Sequence, residues 1–332
     1  MSQNFFESMH RQGLVGEESM GKVRQFYSQP RLRIHNELRL LLYLGVLLVS
    51  GGTGILIYKN IDTIGHLAII GLVGLASLGC FGYSFKHAPP FQWQKTESPS
   101  VLFDYLLLLG CLLLLIFFGY LQYQYQVFGT RWGLASFIPM CLLFLAAYYF
   151  DHQGVLSMAI TNMAAWLGIT VNRATAYGIT ELNDNRTILT ATLMGISLIV
   201  VAHVLATRKY KPHFSPTYHQ FGTHISYIAL LAGLFHFDRI YLLWMLGLLA
   251  LGAYHYFKAF REGSFYYLVV TVLYLYIGVS YVVSAKILGS LSNDVGLIYA
   301  NLFYYLGSAA LLSGLLIKLN KKMKQHDRLS SQ

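Results

Sequence analysis

The residues best suited to chemistry are the histidines of one stretch, HVLATRKYKPHFSPTYHQFGTH, which runs from His203 to His224 between two apolar segments. His255 lies near the end of the apolar segment that follows. If the flanking segments are antiparallel helices, then His203, His224 and His255 lie at a similar depth. Imidazoles at one depth could bind a transition metal, ligate haem or carry protons near neutral pH.

The alternative is that these histidines lie at a membrane surface and bond to headgroups, water or backbone carbonyls. The RKYK run at 208–211, followed by Pro212 and Pro216, indicates a turn outside the membrane, and we assign His213 and His219 to it. HxxxH and HExxH spacings, which place two ligands on one helix face, are absent from the sequence. The metal or haem hypothesis therefore depends on convergence of the three other histidines.

Two further groups of residues lie inside apolar segments. Asn162, Asn301 and Asp104 are polar residues that could either bond between helices or line a hydrated path. Glycines in the first two apolar segments could allow close helix packing or local unwinding around an ion or substrate, and these are Gly51, Gly52, Gly54, Gly71 and Gly74. Packing is the preferred interpretation, since no charged residue accompanies the glycines at that depth.

The composition indicates a membrane protein. Of the 332 residues, 55% are hydrophobic and 11% are charged, whereas about a quarter are charged in ordinary soluble domains. The net charge of +10 falls in short segments between apolar runs, so it indicates membrane topology and not nucleic-acid binding. The sequence contains no P-loop, dinucleotide-binding GxGxxG or GxSxG motif, so nothing in its motifs indicates an enzyme or a cofactor beyond the histidine hypothesis.

Hydropathy predicts an all-α polytopic membrane protein of about ten transmembrane helices. A small N-terminal helical hairpin and interfacial segment (1–37) precedes the transmembrane domain (38–317), and a basic tail (318–332) follows it. The predicted spans are 38–58, 64–85, 101–121, 132–150, 154–171, 188–207, 218–237, 240–258, 264–287 and 296–317.

The distribution of Lys and Arg predicts the orientation of these spans. With ten spans, 18 of the 24 Lys and Arg residues lie on the side that holds both termini. Cytoplasmic segments are enriched in Lys and Arg, so both termini are expected in the cytoplasm. Short charged joints at 151–153 and 238–239 are expected to break two long apolar runs, because a charge at the bilayer centre is costly.

The sequence also resembles a known family. The stretches QGLVGEESMGKVRQFY and LLYLGVLLVSGGTGILIYKNID, together with the later SFYYLVVTVLYLYIGVSYVV, are similar to bacterial predicted membrane proteins classed as domain of unknown function 2157. The N-terminal similarity covers about the first ninety residues. The resemblance implies a multi-span protein of the bacterial inner membrane and assigns no activity.

Three functions remain open from the sequence. The first is transport of a small solute or lipid. The second is a non-catalytic membrane scaffold or regulatory subunit, which would contact protein partners through the N-terminal hairpin or the 172–187 loop as well as the lipid bilayer. The third is a metal or haem protein built on His203, His224 and His255.

Overall fold

The computed structural model describes Gly16, Ser19 and residues 34–171, 185–289 and 295–330. Across these residues the protein is all-helical. The ten α-helices are α1 (Ile34–Ile64), α2 (His66–His87), α3 (Val101–Tyr125), α4 (Trp132–Tyr149), α5 (Gln153–Val171), α6 (Asn185–Arg208), α7 (Ser215–His236), α8 (Tyr241–Glu262), α9 (Phe265–Tyr281) and α10 (Val295–Ser330). The predicted N-terminal hairpin and most of the 172–187 loop lie outside the described residues.

Eight helical segments are long and apolar enough to cross a membrane, which supports the membrane assignment. They are His66–His87, Val101–Tyr125, Trp132–Tyr149, Gln153–Val171, Asn185–Arg208, Asp238–Glu262, Phe265–Leu288 and Gly296–Met323. The last part of the seventh segment is a π-helical turn, Val282–Leu288, that extends α9. Two predicted spans are not among the eight: α1 has a shorter apolar part, Leu40–Leu56, and α7 carries many polar side chains.

The two charged joints break the helices as expected. Between α4 and α5 the chain turns at Asp151, whose φ of 58° ends the helical path. Between α7 and α8 a 3-10 turn, Asp238–Ile240, replaces the α-helix. Helix α10, in contrast, continues beyond the predicted span end at Ile317, because the residues that follow include neither Gly nor Pro.

The chain divides into two compact units, Met1–Thr63 and Ile64–Gln332. In the second unit, helices that are neighbours in the chain are the main packing partners: α2 with α3, α4 with α5, α6 with α7, and α8 with α7 and α9. The backbones of α6 and α7 approach each other closely. A Cβ atom added at Gly195 would lie 2.7 Å from the Ser226 backbone nitrogen, and one added at Gly222 would lie 2.8 Å from the Gly195 carbonyl oxygen.

One end of the second unit is held together by three connections. The 88–100 segment, the α4–α5 joint and the 209–214 turn contact each other there: the Lys211 backbone N–H donates to the Trp93 carbonyl, and the Thr96 backbone N–H donates to the Asp151 carboxylate. We call this end the basic face. The 126–131 and 237–240 segments lie at the opposite face, because they join the other ends of the same antiparallel helices.

Candidate functional site

The basic-face half of α7 carries polar side chains that are buried. His219, Thr223 and Tyr227 follow each other at four-residue spacing and therefore share one helix face. Their exposed fractions are between 0% and 3%. This face packs against α8 and α9, which contribute the fully buried His255 and the nearly buried Thr271. The three helices thus enclose a polar cluster, which we call the histidine network.

A continuous hydrogen-bonded chain connects the two imidazoles of the network. The Tyr254 hydroxyl lies 3.3 Å from His219 Nε2, and His219 Nδ1 lies 3.2 Å from Thr223 Oγ1. Thr223 Oγ1 in turn lies 2.9 Å from His255 Nε2. One hydroxyl group therefore bridges two histidines that come from different helices.

The chain has a definite direction when both histidines are neutral. His255 Nδ1 lies 3.0 Å from the Leu251 carbonyl oxygen, which can only accept, so Nδ1 carries the proton. His255 Nε2 is then an acceptor, and Thr223 donates to it. Thr223 Oγ1 consequently accepts from His219 Nδ1–H, which leaves His219 Nε2 to accept from Tyr254. Every polar hydrogen along the path has a partner in this arrangement.

The Thr223 hydroxyl also has a second acceptor. Its oxygen lies 2.7 Å from the backbone carbonyl oxygen of His219, one turn earlier in α7. A hydroxyl group has one proton to donate, so Thr223 donates either to this carbonyl or to His255. Rotation of this single O–H bond therefore makes or breaks the hydrogen bond from Thr223 to His255.

The two ends of the network differ in polarity. Toward the basic face, Lys258 lies over the Tyr267 ring, 5.4 Å from its centroid, and forms an ion pair with Glu262. Toward the opposite face, the Tyr227 hydroxyl donates to Thr271 Oγ1 at 3.1 Å, and beyond it the helices are packed with apolar residues. That apolar cluster contains Ile188, Leu231, Leu234, Trp244 and Leu248. The network therefore borders charged side chains toward the basic face and apolar side chains toward the opposite face.

The structure separates the three histidines of the metal hypothesis. His255 lies inside the network. His224 lies outside the hydrogen-bonded chain, where its Nε2 and Nδ1 contact the hydroxyls of Tyr266 and Tyr274 at 2.6 and 3.0 Å. His203 is exposed on α6. Within the described part of the chain, no three His, Cys, Asp or Glu side chains are grouped closely enough to hold a metal ion.

The most connected members of the network were not predicted from the sequence. His219 was expected in the surface turn, whereas it is buried in the second turn of α7. Thr223, Tyr227 and Tyr254 were not among the candidate residues. The four-residue spacing of His219, Thr223 and Tyr227 was the available signal, because polar side chains on one face of a membrane helix have to find partners on neighbouring helices.

The other polar residues singled out in the sequence bond within the protein. Asn162 donates from Nδ2 to the Ser136 carbonyl at 2.8 Å and so joins α5 to α4. Asn301 donates to Leu297 O in its own helix and accepts from Ser284.

Asp104 lies at the basic face. It accepts from Ser98 Oγ, and its carboxylate lies 3.7 Å from His152 Nε2.

The selected glycines are not equivalent. A Cβ atom at Gly74 would lie 3.0 Å from the Phe117 ring, so this residue permits close packing of α2 on α3. Gly71, one turn earlier, has no such neighbour within 4 Å. Gly51, Gly52 and Gly54 belong to the first unit, and close packing there remains a prediction.

A buried ion cluster fixes the basic face. The Asp151 carboxylate accepts from Lys211 Nζ at 2.8 Å and contacts His213 Nε2 at 2.6 Å. The Lys211 side chain is only 1% exposed, and its ammonium also lies over the Phe91 ring at 5.0 Å. His213, which the sequence placed at the membrane surface among headgroups, water and backbone carbonyls, instead pairs with Asp151. The left-handed conformation of Asp151 directs its carboxylate toward the 209–214 turn, where the carboxylate contacts Lys211 and His213.

Next to this cluster, His152 is held in its neutral form. Burial lowers the pKa of His152 below its usual value, although the neighbouring Asp104 and Asp151 carboxylates act in the opposite direction. Its Nδ1 accepts from the Val155 backbone N–H at 3.2 Å, at the start of α5. The neutral imidazole therefore serves as a helix cap.

Apolar helices of membrane-spanning length and a polar network enclosed among three of them define a helical membrane protein with multiple candidate spans. Comparison with known families agrees. Residues 7–156 match the family model described as predicted membrane protein (DUF2157), which confirms the resemblance seen in the sequence. The match extends beyond the first ninety residues and leaves out the later stretch 264–283. No curated protein and no solved structure matches the chain.

Proposed function

We propose that the chain spans the bacterial inner membrane ten times, with both termini in the cytoplasm. The 18 basic residues on one side support this orientation. Helix α7 has 22 residues and is about 33 Å long, which is sufficient for a hydrocarbon core of about 30 Å. Its polar side chains bond to α8 and α9, and such internal partners reduce the cost of placing polar groups in a membrane.

We propose further that the protein transports a small solute together with protons. The observation that carries this proposal is the chain of hydrogen bonds from Tyr254 through His219 and Thr223 to His255. Ionisable side chains inside a membrane domain are costly and commonly mark proton pathways. Histidine is the side chain whose unperturbed pKa lies nearest to physiological pH, so it can both accept and release a proton.

The network can pass a proton in one concerted step. A proton that binds His219 Nε2 makes this imidazole cationic. His219 then releases the Nδ1 proton to the Thr223 oxygen, while Thr223 gives its own proton to His255 Nε2. The positive charge has now moved from α7 to α8, and the Thr223 hydroxyl points toward His219 Nδ1. The reset requires His255 to release its extra proton, the Thr223 O–H to rotate back toward His255 Nε2, and the His219 proton to return from Nε2 to Nδ1.

The apolar cluster beyond Tyr227 separates this pathway from the opposite face. Trp244 packs directly onto α7 at Gly233, where an added Cβ atom would lie 2.3 Å from the indole ring. A solute or proton that crosses the protein requires α7 and α8 to separate at this point. We therefore assign the cluster around Trp244 as a closed gate. In this conformation the polar end of the histidine network faces the cytoplasm.

The experiment uses everted membrane vesicles that contain the full-length protein and maintain a pH gradient, which is followed with a fluorescent dye. Solutes from several classes are added: amino acids, sugars, organic acids, polyamines and osmolytes. We expect one class to dissipate the gradient, and we expect His219→Gln and His255→Gln to reduce that rate at least tenfold. His203→Gln is the matched control, because His203 is exposed on α6 and should leave the rate unchanged. If no class acts differently on wild-type and variant vesicles, the transport proposal fails.

A membrane scaffold is the second candidate, and specific contacts favour it. Deep polar groups outside the network serve as links between helices: Asn162 bonds to the Ser136 carbonyl, and Ser77 bonds to the Gly110 carbonyl at 2.9 Å. On this alternative, residues 1–37 and the 172–187 loop hold protein partners. Crosslinking in intact cells would then recover the same partners with wild-type protein and with His219→Gln, and the pH gradient would not respond to any solute.

A further inference from the structure

The contact between α5 and α6 is open along much of its length. A cavity of about 650 Å³ between the start of α4 and the end of α5 is followed by cavities of about 570, 110 and 470 Å³ along the α5–α6 contact, and successive cavities share lining residues. Thr170 lines the first and the second, Thr190 lines the second, third and fourth, and Leu167 lines the third and fourth. The four cavities are therefore neighbours, and together we call them the α5–α6 groove.

The end of the groove at the opposite face is cationic and polar. Arg131, at the start of α4, lines the first cavity together with Trp166 and Thr170. Arg186, in the first turn of α6, lines the second. Neither arginine belongs to an ion pair within the described ranges, and Thr170 Oγ1 is buried there without a hydrogen-bond partner. Gly133 makes room for this arrangement, since its Cβ would lie 3.2 Å from Thr170 Oγ1.

The remainder of the groove is apolar. Leu167, Met194 and Leu198 line it, with Phe144 at one wall, and Tyr218 lies at its far end. Small residues of α5 and α6, Ala164, Gly168 and Ala191, line its narrow middle part. From Arg186 to Val201 the groove follows α6 for about 23 Å, which exceeds half of a hydrocarbon core of about 30 Å.

We infer that the α5–α6 groove binds one anionic phospholipid, with its phosphate at Arg131 and Arg186 and one acyl chain along Leu167 and Met194. The charge at the polar end is complementary to a phosphate group, and arginine can bind phosphate through two parallel hydrogen bonds. The apolar lining begins next to the cationic end. This arrangement matches a phospholipid, whose charged headgroup is attached directly to its acyl chains. This assignment is independent of proton transport, because the groove and the histidine network share no residue.

The test measures lipid binding to the detergent-purified full-length protein by native mass spectrometry. Phosphatidylglycerol and phosphatidylcholine of equal chain length are titrated separately, and glycerol 3-phosphate is added as a competitor. We expect phosphatidylglycerol to bind at least tenfold more tightly than phosphatidylcholine. Glycerol 3-phosphate should compete weakly, because it lacks the acyl chain.

Variants separate the phosphate site from the acyl site. The double substitution R131Q/R186Q should remove the preference for phosphatidylglycerol, R131K/R186K should retain most of it, and R239Q, at the same face but outside the groove, should behave as wild type. Ala191→Phe fills the narrow part and should weaken binding of both lipids. The inference is overturned if R131Q/R186Q keeps the wild-type preference, if both lipids bind wild type equally, or if glycerol 3-phosphate displaces the lipid completely.

Discussion

At the scale of single residues, burial determines what the charged and titratable groups can do. Asp151, Lys211 and His213 form an ion cluster at the basic face, although each comes from a connection that the sequence presents as solvent-exposed. Removing one partner of such a pair leaves a buried charge uncompensated, at a typical cost of about 3–5 kcal/mol. The cluster therefore fixes the relative positions of α4, α5, α6 and α7 at this face.

The neutral state of His152 predicts how stability depends on pH. Its pKa in the folded protein lies below the value of about 6.5 expected in the unfolded chain. The unfolded chain therefore binds the proton more tightly, and His152 favours folding above pH 6.5 and loses that contribution as the pH falls toward its folded pKa. We expect thermal stability of the detergent-solubilised protein to decrease below pH 6.5, and His152→Gln to make this decrease shallower.

The control for this prediction is His203→Gln, which removes an exposed imidazole. Its unfolding temperature should show the same pH dependence as wild type. An unchanged slope in His152→Gln would show that the neutral imidazole of His152 is not responsible.

At the scale of helices, α7 is the element that organises the second unit. One face approaches α6 at Gly195 and Gly222, and another carries His219, Thr223 and Tyr227 toward α8 and α9. The close approach to α6 requires the absence of side chains at the crossing. The polar face, in turn, explains why α7 is too hydrophilic to be found among the eight apolar segments.

The α6–α7 crossing predicts a large effect of one substitution. Gly195→Leu introduces a side chain where even a Cβ atom lies 2.7 Å from the Ser226 backbone nitrogen, so α6 and α7 have to move apart. Overpacking of this kind typically costs about 1–3 kcal/mol. We expect a clearly lower unfolding temperature by differential scanning fluorimetry.

Gly79→Leu on α2 is the matched control, since nothing lies within 4 Å of its added Cβ. It should change the unfolding temperature little. Equal effects of the two substitutions would contradict the assigned crossing.

The sequence predicted the helices better than their contacts. Each of the ten predicted spans corresponds to a helix, because long apolar runs and charged joints are properties of neighbouring residues. The histidine network depends on which faces of α8 and α9 lie against α7. Apolar periodicity does not specify these faces when a helix is apolar or aromatic on nearly every side. His219 illustrates the difference: two prolines and a basic run nearby indicated a surface turn, yet the helix begins at Ser215 and carries His219 inside.

At the scale of the whole molecule, the proposed ten spans make α7 a membrane helix and place both termini on one side. Single cysteines in a background without Cys80, Cys111 and Cys141 test this arrangement. We expect Arg239→Cys to react with a membrane-impermeant maleimide in intact spheroplasts. A cysteine at Gly263 or after Gln332 should react only after the membrane is permeabilised. Reaction of Gly263→Cys and Arg239→Cys from the same side would show that α8 does not cross.

The proposed proton path runs from His219 through Thr223 to His255, and substitution of the single Thr223 hydroxyl tests it most directly. In proteoliposomes with an imposed pH gradient and a solute of the class that dissipates the gradient in the vesicle assay, we expect Thr223→Val to reduce proton movement at least tenfold. Thr223→Ser, which keeps the hydroxyl, should retain most of it, and Thr207→Val, at an exposed position of α6, should behave as wild type. Proton movement in Thr223→Val at the wild-type rate would contradict the account.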